Sequence, residues 1–123
     1  MVGIDIVKIS KVQSLLKKSN FFQRFFTDGE IEYIENKNRS HQTIAGLIAC
    51  KEAVLKAFKL GLGAGLTFKD LEILHGDYPY LNTDRDKLKT YLDENNIINL
   101  DISISHDGEY AIAICTYQRG KNE

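Results

Sequence analysis

Two carboxylates in apolar surroundings are the residues of this chain best placed to do chemistry. Asp5 interrupts the β-branched run at residues 2–7, and Glu52 lies in the apolar stretch 41–60, which predicts a buried helix. A buried carboxylate is unfavourable unless it is paired or holds a metal, and two of them together repel unless a cation lies between them. Such oxygen ligands suit Mg²⁺, which takes one or two protein carboxylates and completes its coordination with water and phosphate oxygens. The alternative for Glu52 is a surface ion pair with Lys56.

A glycine series and a histidine are further candidates for a binding site. Gly61 and Gly63 follow the predicted helix, where spacing alone favours helix termination and loop formation. The alternative is that their amides approach a phosphate closely, with Lys56 and Lys59 supplying positive charge. His106 lies in a predicted hairpin, where a solvated turn residue is the ordinary interpretation and a site residue is the alternative.

The N-terminal part of the chain predicts a strand followed by a basic helix. Residues 2–7 have the composition of a strand, and from Ile9 onward apolar residues recur at helical spacing. The outer side of this helix is basic, because its lysines fall largely away from the apolar positions. The basic residues are Lys8, Lys11, Lys17 and Lys18, with Arg24 beyond the helix. Residues 1–24 thus carry five basic side chains and one acidic one, on a chain of net charge −1.

The remaining elements predict an α+β fold. Thr27 and Glu30 form a capping-box pattern that opens a helix through about Asn36, and the helix at 41–60 is apolar nearly all round and ends at Gly61. Short strands are predicted at 71–74 and 80–81, a helix capped by Thr83, and a hairpin with strands at 101–105 and 110–116. Because the helices and strands do not alternate as repeated strand-helix-strand units, we expect an antiparallel sheet packed around a long central helix.

Composition limits the classes of protein to which the chain can belong. Its 123 residues suffice for one core, so we expect a single domain spanning residues 1–123. The balance of 16 basic and 17 acidic side chains argues against a wholesale nucleic-acid binder. The longest apolar stretch, 44–62, contains charged residues that make it too polar to span a membrane, and no secretory signal is visible, so we expect a cytoplasmic protein. Cys50 and Cys115 lie in apolar runs, which predict buried free thiols.

Four segments, taken together, resemble one protein family. They are residues 3–7 (GIDIV), 24–27 (RFFT) with Glu30, 45–58 (AGLIACKEAVLKAF) and 102–106 (ISISH). The residues of these segments and their order along essentially the whole chain resemble those of the holo-acyl-carrier-protein synthases. These are the small AcpS-type class of 4′-phosphopantetheinyl transferases. Each segment alone is a weak signal. An early Asp, a Lys-Glu-Ala in a helix and a Ser-His in a late hairpin are specific as a set.

The resemblance implies a function and an assembly. Members of this family move 4′-phosphopantetheine from coenzyme A to a serine of apo acyl carrier protein in fatty acid biosynthesis, and release adenosine 3′,5′-bisphosphate. The resemblance also implies the phosphopantetheinyl transferase fold, Mg²⁺ as cofactor, and a homotrimer whose active sites lie at the subunit interfaces.

The resemblance further implies a role for individual residues. Asp5 and Glu52 match the two magnesium carboxylates, and Lys56 matches a catalytic lysine that meets phosphate charge. Five residues match the family positions that line the site for the 3′-phospho-ADP part of coenzyme A: Lys56, Gly61, Gly63, Ser105 and His106. An acyl carrier protein is small and acidic, so its expected docking surface is Lys8, Lys11, Lys17, Lys18 and Arg24. For an arbitrary protein, these basic residues would be interpreted as a solvated surface.

Three positions depart from the family pattern. Leu47 stands where the family often has an arginine, Lys59 where it often has a glycine, and Met1 where its opening motif has a first glycine. One interpretation is that the positive charge of Lys59 replaces the arginine charge that is missing at position 47. The rival function is a non-catalytic α+β interaction module, in which Glu52 pairs with Lys56 and the basic helix docks an acidic protein.

Overall fold

The computed structural model describes residues 1–59 and 65–120. The α-helices in these ranges are α1 (Lys11–Leu16), α2 (Phe21–Phe25), α3 (Asp28–Asn36), α4 (His41–Ala57) and α5 (Asp86–Glu94). The strands are β1 (Val2–Lys8), β2 (Ile73–His75), β3 (Pro79–Leu81), β4 (Ile97–Asp107) and β5 (Tyr110–Arg119), and a short 3-10 helix (Phe68–Asp70) precedes β2. The expected α+β class is confirmed, with the long helix α4 at its centre.

The three long strands form one antiparallel sheet in the order β1-β5-β4, and β2 pairs with β3 in a separate hairpin. Because side chains alternate along a strand, the sheet has two different faces. Its inner face packs on α4 and includes Ala113 and Cys115 of β5. Its other face, which we call the open sheet face, exposes apolar side chains of β1 and β5. They are Val2, Ile4, Ile6, Ile112 and Ile114.

Strand β1 lies unusually close to helix α4. A Cβ atom added at Gly3 would lie 2.1 Å from the carbonyl oxygen of Ala53 and 2.4 Å from the backbone nitrogen of Ala57, so only glycine fits there. Asp5 is two residues further along β1 and therefore faces the same side of the sheet, toward α4. This close approach brings the acid of β1 onto the helix that carries Glu52.

Helix α4 ends at Ala57, three residues earlier than predicted. Its first turn is capped by Ser40, whose side chain accepts a hydrogen bond from the backbone N–H of Thr43. At the other end Phe58 is the C-cap, and Lys59 has a φ of 63°, in the left-handed region that glycine adopts most easily. The predicted helix end at Gly61 lies outside the described residues. The glycine that the family often has at position 59 thus corresponds to a real conformational demand.

Replacing Lys59 by Gly is expected to raise the free energy of unfolding by about 0.5–1 kcal/mol. A side chain with a Cβ makes the left-handed conformation unfavourable, and this strain exceeds the entropy that glycine adds to the unfolded chain. Urea unfolding followed by circular dichroism measures the change. As a matched control, Lys89→Gly inside α5 is expected to lose about 1 kcal/mol. A loss of stability in both variants would contradict the strain at Lys59.

The prediction of one basic helix starting near residue 9 is wrong in part. Lys8 belongs to β1, where it pairs with Tyr110, and the backbone N–H of Ile9 donates to the carbonyl of Glu109, which extends the strand. Helix α1 begins only at Lys11, and Lys17 is its C-cap. Lys8 and Lys11 therefore do not share one helical face, although both side chains are exposed.

Other predicted bounds also shift for local reasons. Helix α5 begins at Asp86 after Arg85, not after Thr83, because the side-chain oxygen of Asn82 accepts from the backbone N–H of Asp84 and holds a turn there. The strand predicted at 71–74 is observed as Ile73–His75, and the strand predicted at 80–81 is observed as Pro79–Leu81. In the last hairpin β4 starts earlier than predicted, with a register irregularity between Ile98 and Asp101.

The two cysteines are free and buried, as predicted. Burial raises the pKa of both the Cys50 and the Cys115 thiol to about 12, so neither thiolate is populated near neutral pH. Within residues 1–59 and 65–120, no helix is both long and apolar enough to cross a membrane.

Candidate active site

Asp5 and Lys56 form the centre of the candidate site, where β1 meets the last turns of α4. The Lys56 ammonium donates a 2.7 Å hydrogen bond to Oδ1 of Asp5. The Asp5 side chain is only 9% exposed, whereas that of Lys56 is 57% exposed. The ammonium therefore reaches from solvent to cover one oxygen of a buried carboxylate, and Asp5 in turn raises the pKa of Lys56 through this hydrogen bond.

Glu52 lies one helical turn before Lys56 and next to Asp5. Burial raises the pKa of Glu52, and the negative charge of Asp5 raises it further. Lys56 lowers it by its charge, but the ammonium pairs with Asp5 and not with Glu52. The simple Glu52–Lys56 surface pair is thus replaced by a three-residue cluster in which two carboxylates face one cation.

One oxygen of this cluster has no partner among the described residues. Oδ2 of Asp5 is buried and accepts no hydrogen bond there. A buried acceptor left unsatisfied is unfavourable by roughly 1–3 kcal/mol, and a cation would remove that penalty. In the described ranges no group of three or more His, Cys, Asp or Glu side chains is arranged to hold a metal. The two-carboxylate donor set nonetheless fits Mg²⁺, which commonly takes one or two protein carboxylates when a phosphate supplies other ligands.

His106 opens onto a cavity of about 200 Å³ beside the middle of α4. The cavity is lined by Tyr33, Thr43, Gly46, Leu47, His75, Pro79, Ile104 and His106. Nε2 of His106 lies 3.1 Å from the carbonyl oxygen of Gln42, at the start of α4. A Cβ on Gly46 would lie 2.9 Å from Nε2 of His106, so the small residue makes room for the imidazole. His106 is therefore not a turn residue but part of β4, held against the helix.

The other walls of this cavity are aromatic and apolar. The rings of Tyr33 and His75 stack with their centroids 3.6 Å apart and their planes nearly parallel. Leu47, in the position where the family often has arginine, is buried and brings no charge to this wall. Gly46 and Glu52 are six residues apart, or about 9 Å along the helix, so the cavity and the carboxylate cluster lie along a single helix, α4.

The remaining predicted coenzyme A residues are distributed differently. Ser105 is exposed and pairs with Ile112, so it lies on the open sheet face, opposite to its neighbour His106. Gly61 and Gly63 lie outside the described residues. Gly65, just after them, has a φ of 102° and open space around its Cα.

A second cavity, of about 270 Å³, lies beside part of the predicted docking surface. All five basic side chains of the predicted surface are exposed: Lys8, Lys11, Lys17, Lys18 and Arg24. Two of them line the cavity, whose wall residues are Leu15, Lys18, Ser19, Phe21, Arg24, Phe25 and Phe68. The rings of Phe25 and Phe68 stack at 4.2 Å. The surface thus combines an aromatic cavity with a basic rim.

Sequence reasoning missed a buried ion pair between Lys51 and Glu30. Both side chains are 0% exposed, and the Lys51 ammonium donates to Oε1 of Glu30 and, at 2.8 Å, to the carbonyl oxygen of Phe25. Glu30 also accepts from the backbone N–H groups of Thr27 and Ile73. Burial lowers the pKa of Lys51, and Glu30 opposes that effect. A lysine within the largely apolar run 44–54 of α4 was the available signal.

Comparison with known proteins places this geometry in a family. A model of the 4′-phosphopantetheinyl transferase superfamily matches residues 1–115. The holo-[acyl-carrier-protein] synthase of Finegoldia magna is 43% identical over 113 residues, which cover 92% of this chain and 91% of that protein. The corresponding synthase of Sulfurimonas denitrificans is 38% identical over 122 residues, covering 96% of this chain and 94% of that protein.

A solved structure agrees with these sequence relatives. The crystal structure of Helicobacter pylori holo-[acyl-carrier-protein] synthase in complex with coenzyme A superposes with a TM-score of 0.81 at 36% identity, covering 96% of this chain and all of that one. The fold, the sequence and the matched length all lead to one conclusion. The chain belongs to the 4′-phosphopantetheinyl transferase superfamily.

Proposed function

We propose that this protein transfers 4′-phosphopantetheine from coenzyme A to a serine of apo acyl carrier protein, with release of adenosine 3′,5′-bisphosphate, in fatty acid biosynthesis. The observation that carries the proposal is that Asp5 of β1 lies beside Glu52 and Lys56 of α4. The same helix also lines the His106 cavity. The whole chain, residues 1–123, acts as one catalytic domain. Its two buried free thiols fit the reducing environment of the cytoplasm.

The carboxylate cluster is assigned to Mg²⁺. Asp5 would bind it through the unpartnered Oδ2, and Glu52 through its half-buried carboxylate. The ion would supply neutralisation of the charge that develops on the leaving phosphate. Lys56 adds a positive charge at the rim of the cluster, where it would attract a phosphate of coenzyme A. Positioning and charge stabilisation by these three side chains then provide most of the catalysis.

The cavity beside His106, of about 200 Å³, is assigned to the adenine base of coenzyme A. Its aromatic and apolar walls suit a flat base, and the imidazole of His106 supplies a polar group at the rim. Because Leu47 brings no charge, phosphate recognition falls to Lys56 and to residues outside this wall, among them Lys59 and the glycines Gly61 and Gly63. The proton of the attacking serine would pass to one of the two carboxylates or to a water held beside them, because no dedicated histidine is needed for that step.

A direct assay tests the function. The protein is incubated with coenzyme A, Mg²⁺ and apo acyl carrier protein, and the mass of the carrier is followed. Addition of one phosphopantetheine group to the carrier is the expected result. An unmodified carrier, together with coenzyme A binding that does not require Mg²⁺, would overturn the proposal and favour the non-catalytic interaction module.

We further propose that the basic side chains dock the acidic carrier protein. Lys8→Glu combined with Lys11→Glu is expected to raise the KM for carrier protein about tenfold or more, because reversal converts attraction into repulsion. The affinity for coenzyme A should stay nearly unchanged. The effect should shrink at high salt, where exposed charges are screened beyond about 8–10 Å. Initial rates at varied carrier concentration and two ionic strengths measure it.

A charge reversal elsewhere provides the matched control for docking. Lys87→Glu combined with Lys89→Glu alters two exposed lysines on α5 and should leave the KM for carrier protein within about twofold. An equal rise in both double variants would show a general charge effect. An unchanged KM for the Lys8 and Lys11 variant at low ionic strength would exclude these two lysines from the docking surface and restrict it to the aromatic cavity around Arg24.

The open sheet face is assigned to contact between copies of this chain. Ile4 pairs with Ile114 and Ile6 with Ile112, so four isoleucines form one exposed apolar patch. Such patches mark interaction surfaces, because covering them with a second protein removes apolar area from water. We propose a homotrimer in which each copy covers this face of its neighbour. Ser105 on the same face would then reach the neighbouring copy.

A further inference from the structure

The buried Lys51 ammonium connects two parts of the molecule that the proposed reaction must hold together. On one side it is bonded to the carbonyl oxygen of Phe25, the last residue of α2. On the other side it belongs to α4, next to Glu52 in the chain. Oε1 of Glu30, which also accepts the Thr27 N–H, fixes the ammonium from a third direction.

Helix α2 depends on such an anchor. It has five residues, too few for a stable helix on its own, and its N-cap residue Asn20 makes no side-chain capping bond. The carbonyl groups of its last turn lack partners within the helix, and Lys51 supplies one from the core. The same ammonium lies 5.5 Å from the ring centroid of Phe25 and 5.4 Å from that of Phe26. Directional bonds and cation–π contacts thus set where α2 ends.

Helix α2 also carries the residues of the docking cavity. Arg24 and Phe25 line it, and the Phe25 ring stacks on Phe68 at its wall. A shift of α2 would therefore move this cavity relative to Glu52 without touching the carboxylate cluster itself. Apolar packing alone permits sliding, whereas a buried ion pair with fixed acceptors specifies one arrangement.

We propose that Lys51 is a positioning residue that holds the carrier-protein docking cavity in register with the carboxylate cluster. The proposal rests on the proposed transfer of phosphopantetheine to a carrier protein. Glu30 serves the same role by fixing the Lys51 ammonium. Neither side chain touches the reacting groups, because both are completely buried.

Two variants test this role. Lys51→Met keeps the apolar stem and removes both bonds, and Glu30→Gln combined with Lys51→Met avoids a lone buried carboxylate, whose presence would threaten folding. In each we expect the KM for carrier protein to rise on the order of ten- to a hundredfold, since small misplacements of a bound partner have effects of this size. The dissociation constant for coenzyme A, from calorimetry, should stay within about twofold. Lys89→Met, on the exposed side of α5, should change neither quantity.

The outcomes separate this proposal from the proposed function. If the unmodified protein transfers nothing, the proposed function fails. If it transfers normally but the variants keep the KM of the unmodified protein, or lose coenzyme A affinity in parallel, the positioning role is wrong. Should neither variant fold, hydrogen exchange of the unmodified protein decides. The backbone amides of Arg24 and Phe26 should then exchange nearly as slowly as those of α4, and exchange at unprotected rates would overturn the anchor.

Discussion

Replacing Asp5 by Asn, or Glu52 by Gln, is expected to lower the rate of phosphopantetheine transfer by at least about a thousandfold. Each change preserves the shape of the side chain but removes one of the two negative charges assigned to Mg²⁺. Loss of metal stabilisation amounts to several kcal/mol of barrier, and each 1.36 kcal/mol corresponds to about tenfold in rate. Initial rates at limiting Mg²⁺ measure the effect, and circular dichroism verifies the fold.

Controls of the same chemistry are available on the surface. Asp93→Asn in α5 and Glu32→Gln in α3 make identical changes at exposed positions and should leave the rate unchanged. Activity close to that of the unmodified protein in Asp5→Asn or Glu52→Gln at limiting Mg²⁺ would show that the metal assignment is wrong. The Asp5–Lys56 contact would then be an ordinary structural ion pair.

The stabilities of the two variants should differ. The folded-state pKa of Glu52 is raised, so the folded protein binds the proton more tightly than the unfolded chain, and its stability falls as the pH rises through that interval. A glutamine side chain at this position does not titrate. Without metal, Glu52→Gln should therefore be more stable than the unmodified protein at neutral pH, with a gain that shrinks as the solution is acidified below the raised pKa of Glu52. Asp5→Asn removes the same repulsion between carboxylates but also the partner of Lys56, so its gain in stability should be smaller than that of Glu52→Gln.

Local sequence patterns were sufficient to predict the elements that are stabilised by contacts between residues close together in the chain. The capping box of Thr27 and Glu30 is present in both directions, as predicted, since it needs only residues three apart. The alternation of the last hairpin likewise predicts β5. Contacts between distant segments explain the differences. Lys8 belongs to β1 because it pairs with Tyr110 of β5. No pattern within residues 8–18 predicts this pairing.

The same distinction applies to the candidate site. Acids in apolar segments are visible in the sequence, so Asp5 and Glu52 could be chosen as candidates, and their proximity follows from Gly3 fitting against α4. The Glu30–Lys51 pair joins residues 21 positions apart on different helices. A capping glutamate and a lysine in an apolar helix each had an ordinary local interpretation, and only the tertiary fold brings their side chains together.

Lys59, which stands where the family often has glycine, has a consequence for the backbone. Lys59 adopts the left-handed backbone conformation, which glycine would adopt without strain. The chain therefore has a cationic side chain at this position together with an unfavourable backbone conformation. Leu47, in contrast, is buried in the wall of the His106 cavity and brings no charge to it. Comparing the coenzyme A affinities of Lys59→Gly and the unmodified protein therefore measures what the charge contributes.

Replacing Ile6 by Asp is expected to convert the proposed homotrimer into monomers and to reduce transfer more than a hundredfold. Ile6 is 60% exposed on the open sheet face, so the change should not disturb the core of the isolated chain. In an apolar interface it removes about 1.5–3 kcal/mol of isoleucine burial and adds the desolvation of a carboxylate. A loss near 3 kcal/mol at each contact weakens association more than a hundredfold. Light scattering and initial rates at the same protein concentration measure both quantities.

An equally exposed apolar residue away from the sheet provides the control for this variant. Tyr78, in the turn between β2 and β3, is 70% exposed, and Tyr78→Asp should leave both the assembly and the rate unchanged. If the active sites need a neighbouring copy, the activity of Ile6→Asp should recover as protein concentration rises, in step with the fraction of trimer. A fully active monomer, in either protein, would show that each chain completes its own site and that the open sheet face contacts something other than a second copy.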